Sequence, residues 1–324
     1  MESNGAVWEG RAVAPVVREA VALLKRAGLT EQEALDHLLE SGAQAVLGPL
    51  RRILGNGATP GVSAFPASAW EADGELLLET GEGGESKEGG QTFLVALLES
   101  RGLTVVGQVE PGPKDKYLDA VALEIGRNLA SFLPVLRRVK ASLSKDGRSY
   151  HRFAKVPPET VSTCVSLARK MHRYGLFDDF RYDPGQKEMH VRVPKVGAIH
   201  NFFSGDWMER YLRAVAEGFL PPGGVAVRGL KVRFPWGGEG EMDLLVASPE
   251  GLHLWVEAKT SLYADRIPRY QEIRKLLGLS RERAVLAVLE EDREAVEAQS
   301  LLLDYRIVHL SEVEGILREI FPQG

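Results

Sequence analysis

The chain reads as an α/β protein, and three features of its order say so. The second half alternates helical and strand-like segments, two of its strands are joined by a tight Pro- and Gly-bearing turn, and the first third carries helical periodicity. At 324 residues the chain exceeds one compact core and suits two or more. Three regions follow: residues 1–125, helix-rich; 126–200, a helix-plus-hairpin module of winged-helix-like pattern; and 201–324, an α/β sandwich.

The elements follow in order. Val13, Val16, Val17, Ala20, Val21 and Leu24 recur at helical spacing within Arg11–Leu54. Thr30 with Glu33 forms a capping box, and Gly42 ends that helix. Gly81–Gly90 reads as a flexible loop; without a Gly-Lys-Ser/Thr ending it is no phosphate-binding loop. A helix over Thr92–Ser100, a strand over Leu103–Val109 and a long helix from about Leu118 to Leu143 come next, the last divided at Pro134. Glu159–Tyr174 is helical, and Asp183-Pro184-Gly185-Gln186 turns a hairpin between Phe180–Tyr182 and Met189–Val193. Beyond it come a helix at Asp206–Ala216 and strands at Val225–Phe234, Glu241–Ala247 and Leu252–Lys259. Helices at Arg266–Leu277 and Arg293–Leu302, strands at Ala284–Leu289 and Arg306–His309, and a final helix complete the order.

Composition narrows the function classes. A hydrophobic share of 44% and a charged share of 26% fit a globular protein. No run reaches the roughly 18 apolar residues of a membrane span, and the N-terminus lacks the basic-then-apolar order of a signal peptide. The single cysteine, Cys164, forms no internal disulfide, sits in a helical pattern as a core residue and suits a reducing cytoplasm. With a net charge of −5, any nucleic-acid surface has to be a local patch on an acidic body. The most basic stretch runs from Arg137 to Lys155, and its Arg148, Tyr150 and Arg152 are candidate backbone and base contacts. Arg266 and Arg269, just past the Leu252–Lys259 strand, are candidates for phosphate contacts.

The chemistry concentrates in one hairpin. Ser248-Pro249-Glu250-Gly251 is a tight turn, and a register centred near Glu250 sets Asp243 opposite Glu257 and Glu241 opposite Lys259. Strand alternation then directs these side chains, with His253 and Trp255, to one face, and Leu244, Val246, Leu254 and Val256 to the other. Converging carboxylates repel one another and lose water. A divalent cation is the simplest remedy, and hard oxygen donors select Mg²⁺ or Mn²⁺.

Glu241-Met242-Asp243 followed by Glu257-Ala258-Lys259 resembles the signature of the PD-(D/E)XK nuclease superfamily. The resemblance implies a restriction-endonuclease-like α/β sandwich in which Asp243, Glu257 and the Ala258 carbonyl hold the metal and Lys259 is the catalytic lysine. Glu209, on the preceding helix, fits the place of a further catalytic glutamate, although its neighbours Arg210 and Arg213 read as ordinary surface pairs. Tyr270 or Gln271 matches a residue that the following helix contributes in many members, with Gln271 the candidate catalytic one. The Gly205-x-Trp207-x-Glu209 string, E-x-D and E-A-K-T together look most like the nuclease half of the CRISPR ancillary nucleases activated by cyclic oligoadenylate.

That resemblance implies a metal-dependent endonuclease, with DNA favoured over RNA as substrate. It also implies a homodimer, a role in antiviral defence and a cyclic-oligonucleotide activator. Those nucleases begin with a strand-first sensor domain, and the helical start of this chain does not read as one. The other reading is a nucleic-acid-binding or regulatory protein with a catalytically silent nuclease fold.

Overall fold

The computed structural model describes residues 84–108, 112, 115–260, 263–289 and 293–322. The helices expected within Arg11–Leu54, with the Thr30–Glu33 box, lie outside these residues. The described elements are α1 (Gly84–Ser100), β1 (Thr104–Gln108), α2 (Asp115–Arg127), α3 (Leu129–Ser142), β2 (Arg148–Arg152), α4 (Pro158–Arg173), β3 (Asp179–Asp183) and β4 (Glu188–Arg192). There follow α5 (Gly197–Asn201), α6 (Trp207–Glu217), β5 (Val225–Arg233), β6 (Glu239–Ser248), β7 (Gly251–Lys259), α7 (Ile267–Leu276), β8 (Ala284–Val288), α8 (Arg293–Leu302), β9 (Arg306–His309) and α9 (Val313–Ile320).

A six-stranded sheet runs in the order β1-β5-β6-β7-β8-β9. Strands β1, β5, β6 and β7 pair antiparallel, whereas β7, β8 and β9 pair parallel through the α7 and α8 crossovers. The mixed α/β class expected from the sequence is what forms. Leu244, Val246, Leu254, Val256, Val285 and Ala287 pack on one face against α2–α4, α6 and α9. Val227, Leu230, Leu245, Ala247, Trp255 and Leu286 pack on the other against α1 and α7. Both faces are covered, so β8 is an unbroken buried run, Ala-Val-Leu-Ala-Val. Each fully buried Leu, Val or Ile stabilises by roughly 1.5–3 kcal/mol relative to an exposed one.

Residues 126–200 share the first of these layers: Val139, Phe153 and Phe177 belong to the same core as Trp207 and Leu254. β1 pairs with β5, so part of the region before residue 126 builds an edge of the main sheet.

Several expectations need correcting. Helix α1 starts at Gly84, inside the expected glycine loop. Lys87 and Glu88 are good helix formers that extend it ahead of the buried Leu94 and Leu98. The long helix breaks at Asn128 rather than Pro134; Asn128 leaves helical geometry at φ −112 and ψ 26, and Pro134 lies inside α3. Arg148–Arg152, within the basic stretch to which the sequence assigns no element, is strand β2 of a three-stranded sheet ordered β2-β4-β3. Its inward positions, Ser149 and His151, are polar and hide the period-2 signal. The β6–β7 register follows the expected pairing at Leu244–Val256 and Val246–Leu254, then shifts so that Ala247 faces Leu252. His253 is the extra residue of that bulge; its Nε2 lies 2.6 Å from Ser248 Oγ at the hairpin end, so it leaves the face it was expected to share with Glu257. Among the described residues no helix is long and apolar enough to cross a membrane.

Candidate active site at the splayed end of a hairpin

Asp243 sits where strand alternation breaks. Residues two apart on a strand normally share a face. Here Leu244 joins one core layer and Met242 the other. On the partner strand Leu230 joins the Met242 layer, whereas Arg228 reaches Asp206 just ahead of α6. Between the pairs Arg228–Leu244 and Leu230–Met242, Gly229 comes opposite Asp243 with φ +61. That left-handed conformation is easy for glycine alone and lets the strand switch faces. With the switch, the Asp243 carboxylate turns toward β7, where it meets the Ala258 N–H and Lys259 Nζ.

The β6–β7 ladder is replaced there by side chains. Ala258 donates its N–H to Asp243 Oδ2 at 2.8 Å, and Asp243 donates its N–H to Glu257 Oε1 at 3.4 Å. Trp255 Nε1–H donates to the same Glu257 oxygen at 3.1 Å. Both carboxylates are buried, Asp243 at 7% and Glu257 at 4% exposure. Lys259 Nζ donates to Asp243 Oδ2 at 2.8 Å, Glu257 Oε2 at 3.2 Å and the Ala258 carbonyl at 3.0 Å. Burial holds the Glu257 carboxyl above its ordinary range, with Asp243 adding to it and Lys259 opposing. Burial alone would depress the Lys259 ammonium, yet Glu257 and Asp243 hold it above its ordinary value.

Glu209 lies in the first turn of α6, and its carboxyl is pushed up to about 8. Burial is the main cause; the charges of Asp243, Asp206 and Glu241 add to it, and Arg228 opposes it. Glu209 therefore belongs to the same electrostatic cluster as Asp243. Glu241 is exposed on the rim, paired in register with Lys231, and Lys259 pairs with Asp243 and Glu257 instead. The expected Glu241–Lys259 contact gives way because side-chain alternation along β6 breaks between Met242 and Leu244.

Of the two α7 candidates, Tyr270 is the one at the site: its ring lies edge-on to Trp255 at 5.9 Å, and its hydroxyl is raised by burial and by the charge of Glu257. Gln271 points elsewhere, Nε2 donating to the Leu303 carbonyl at 2.8 Å, because one helical step rotates it about 100° away. Arg266 is exposed beside Asp265, and Arg269 lies over the Phe234 ring at 5.0 Å. Arg148, Tyr150 and Arg152 project from the exposed face of the β2-β4-β3 sheet, where Tyr150 donates to Glu188 at 2.7 Å.

Arg210 is no surface residue. At 5% exposure it donates to Asp206 and Asp119, each at 2.6 Å, and to Asp115. Arg213 holds Asp119 at 2.6 Å and Arg228 holds Asp206 at 2.7 Å, so one ionic chain ties α2 to α6 and β5 beside Glu209. No local spacing reveals it, because Asp115 and Asp119 lie 95 and 91 residues before Arg210. Lys140 of α3 was also missed as a site neighbour. Its Nζ donates to Thr260 Oγ1 at 2.6 Å, next to Lys259, and burial depresses it.

The donor set suits a hard divalent cation. Among the described residues no three His, Cys, Asp or Glu side chains cluster as a metal site. Two carboxylate oxygens and one carbonyl nevertheless already surround a single positive charge, the Lys259 ammonium. Mg²⁺ is commonly held by one or two carboxylates and completes its shell with water and phosphate.

No protein-family model matches the chain, and no curated protein matches it. Among solved structures, protein VC1899 from Vibrio cholerae is similar at 15% identity and TM-score 0.46, over 71% of this chain and 60% of that one. Can2 from Sulfobacillus thermosulfidooxidans, in complex with cyclic tetra-adenylate, is similar at 12% identity and TM-score 0.47, over 70% of this chain and 58% of that one. This chain thus spans about three-fifths of the length of both, and the likeness assigns no residue a role.

Proposed function

We propose that this chain is a metal-dependent endonuclease of the PD-(D/E)XK kind, acting on DNA in preference to RNA. One observation carries the reading: Asp243 Oδ2, Glu257 Oε2 and the Ala258 carbonyl converge on one cation position at the open end of the sheet. Asp243, Glu257 and the Ala258 carbonyl would hold Mg²⁺ or Mn²⁺. When bound, such an ion polarises a phosphodiester and lowers the pKa of a coordinated water.

This chain's own residues do the rest. The Trp255 Nε1–H and the Asp243 N–H fix the Glu257 carboxylate, and the Ala258 N–H fixes that of Asp243. Lys259, released from the carboxylates, orients the attacking water or neutralises charge growing on the phosphate. Glu209 adds a carboxylate within electrostatic reach of Asp243, and Lys140 sets a second cation beside Thr260.

The test is cleavage of plasmid, single-stranded DNA and RNA with Mn²⁺, Mg²⁺ or EDTA, beside Asp243→Ala and Lys259→Ala. Cutting that needs metal and vanishes in both variants supports the site, and cutting unaffected by either variant overturns it. A homodimer, an antiviral role and activation by a cyclic oligonucleotide belong to this reading too. Repeating the assay with cyclic oligoadenylates, alongside sedimentation, tests the activator and the dimer.

The exposed sheet face bearing Arg148, Tyr150, Arg152 and Arg192 favours a second reading, a nucleic-acid-binding protein whose nuclease fold is silent. Binding without cutting under every condition would select it.

A further inference from the structure

The β5–β6 connection carries an aromatic that the fold does not need. Phe234 and Trp236 stack with ring centroids 5.0 Å apart and planes 6° from parallel, and Arg269 lies 5.0 Å from the Phe234 centroid. Phe234 is buried, whereas Trp236 remains 50% exposed. An indole serving only the core would be covered.

The turn that presents it is fixed. Phe234 and Gly238 are joined at 3.1 Å, Gly237 and Phe234 at 3.0 Å, and both glycines have positive φ. Gly240 completes the seat. A Cβ there would stand 2.8 Å from the Phe234 ring and 3.3 Å from Arg269 Nη2, so the stack depends on a bare backbone beneath it.

Its location links it to the site. The turn precedes β6 at the end of the sheet that bears Asp243, and the rise from Glu239 to Asp243 is about 13 Å. Arg269 precedes Tyr270 on α7, so neighbouring residues of one helix serve the stack and Glu257.

We propose that Trp236, backed by Phe234 and Arg269, is a stacking platform for one unpaired nucleobase of the strand led to the site. The proposal rests on the nuclease reading and deepens it, by making single-stranded or locally opened nucleic acid the preferred substrate. Every base offers a π-face, so the platform grips a strand without reading its sequence. Arg269 supplies a cation beside the adjoining phosphate.

The experiment is fluorescence anisotropy of the full chain with a short labelled oligothymidylate in EDTA, so that hydrolysis is off. An oligomer carrying abasic sites and a duplex run beside it. Trp236→Ala is expected to weaken oligothymidylate binding about 5- to 100-fold at fixed salt, and Trp236→Phe to retain most of it. The abasic oligomer should bind the wild type about as weakly as Trp236→Ala binds oligothymidylate. Equal binding by wild type and Trp236→Ala overturns the platform, as does undiminished binding of the abasic oligomer or no binding at all. If these differences hold while Mn²⁺ supports no cutting, the nuclease reading falls and the platform stands. If cutting persists while Trp236→Ala binds normally, the platform alone falls.

Discussion

Lys259 Nζ lies 2.8 Å from Asp243 Oδ2, so in this structure a side-chain ammonium stands where the candidate ligand oxygens converge. The same cation that neutralises Asp243 and Glu257 therefore competes with any ion that would use them.

Lys259→Met separates the two roles. It keeps the stem and removes the charge, leaving two buried carboxylates without a cationic partner, at a cost on the order of 3 kcal/mol. Added Mn²⁺ should restore that stability and bind Lys259→Met more tightly than the wild type, while cutting is abolished. Titration calorimetry and thermal melts with and without EDTA read this out. Weaker Mn²⁺ binding by the variant would mean that Lys259 holds the site together rather than competing for it.

The ionic chain through Arg210 predicts a large loss of stability away from the chemistry. Arg210→Met leaves Asp115 without its arginine and leaves Asp119 and Asp206 with only Arg213 and Arg228, and removing one partner from a buried charge network costs about 3–5 kcal/mol. Arg210→Lys keeps a charge but loses the planar fork that serves several carboxylates, and should fall between. Urea unfolding measures both. A Met variant within about 1 kcal/mol of wild type would show that the network is not structural.

The sequence exposed the hairpin and the alternating helices and strands after residue 200 because their apolar periods are regular. The register was legible as far as Leu254, where the bulge at His253 shifts the pairing by one residue. Arg210 was not legible as a core residue, because a charged residue on a helix shows its partners only through the tertiary fold. Strand β2 escaped for the related reason that Arg-Ser-Tyr-His-Arg carries no apolar alternation. The choice between Tyr270 and Gln271 turns on helix phase, which adjacent positions cannot reveal.

Glu209 predicts a pH dependence. Its folded carboxyl lies at about 8, above the ordinary glutamate value of 4.5. An acid raised on folding contributes stability that is full below the unfolded value and is lost as pH rises through the folded one. In EDTA, Glu209→Gln should therefore match wild type near pH 4.5 and grow progressively more stable than it toward pH 8. Metal-dependent cutting should meanwhile fall in the variant, a trade expected where a carboxylate is kept for function. A Tm difference that does not change with pH would sink the electrostatic account.

Gly229 predicts how closely the fold controls the chemistry. Its φ of +61 lets β5 change faces opposite Asp243. An alanine there adopts the left-handed region at about 1–2 kcal/mol, or else relaxes toward ordinary strand geometry. Relaxation would restore alternation across residues 228–230 and pull the paired strand with it, moving Asp243 away from the Ala258 N–H and Lys259. Gly229→Ala should thus lower cutting by more than its stability loss explains, with Mn²⁺ binding weakened in step. Gly238→Ala is the control, since its φ of +80 lies in a turn where an added Cβ would meet nothing within 4 Å. Similar strain there should cost similar stability and leave Mn²⁺ binding unchanged. If both variants lose Mn²⁺ binding equally, the face switch at Gly229 has no special part in placing Asp243.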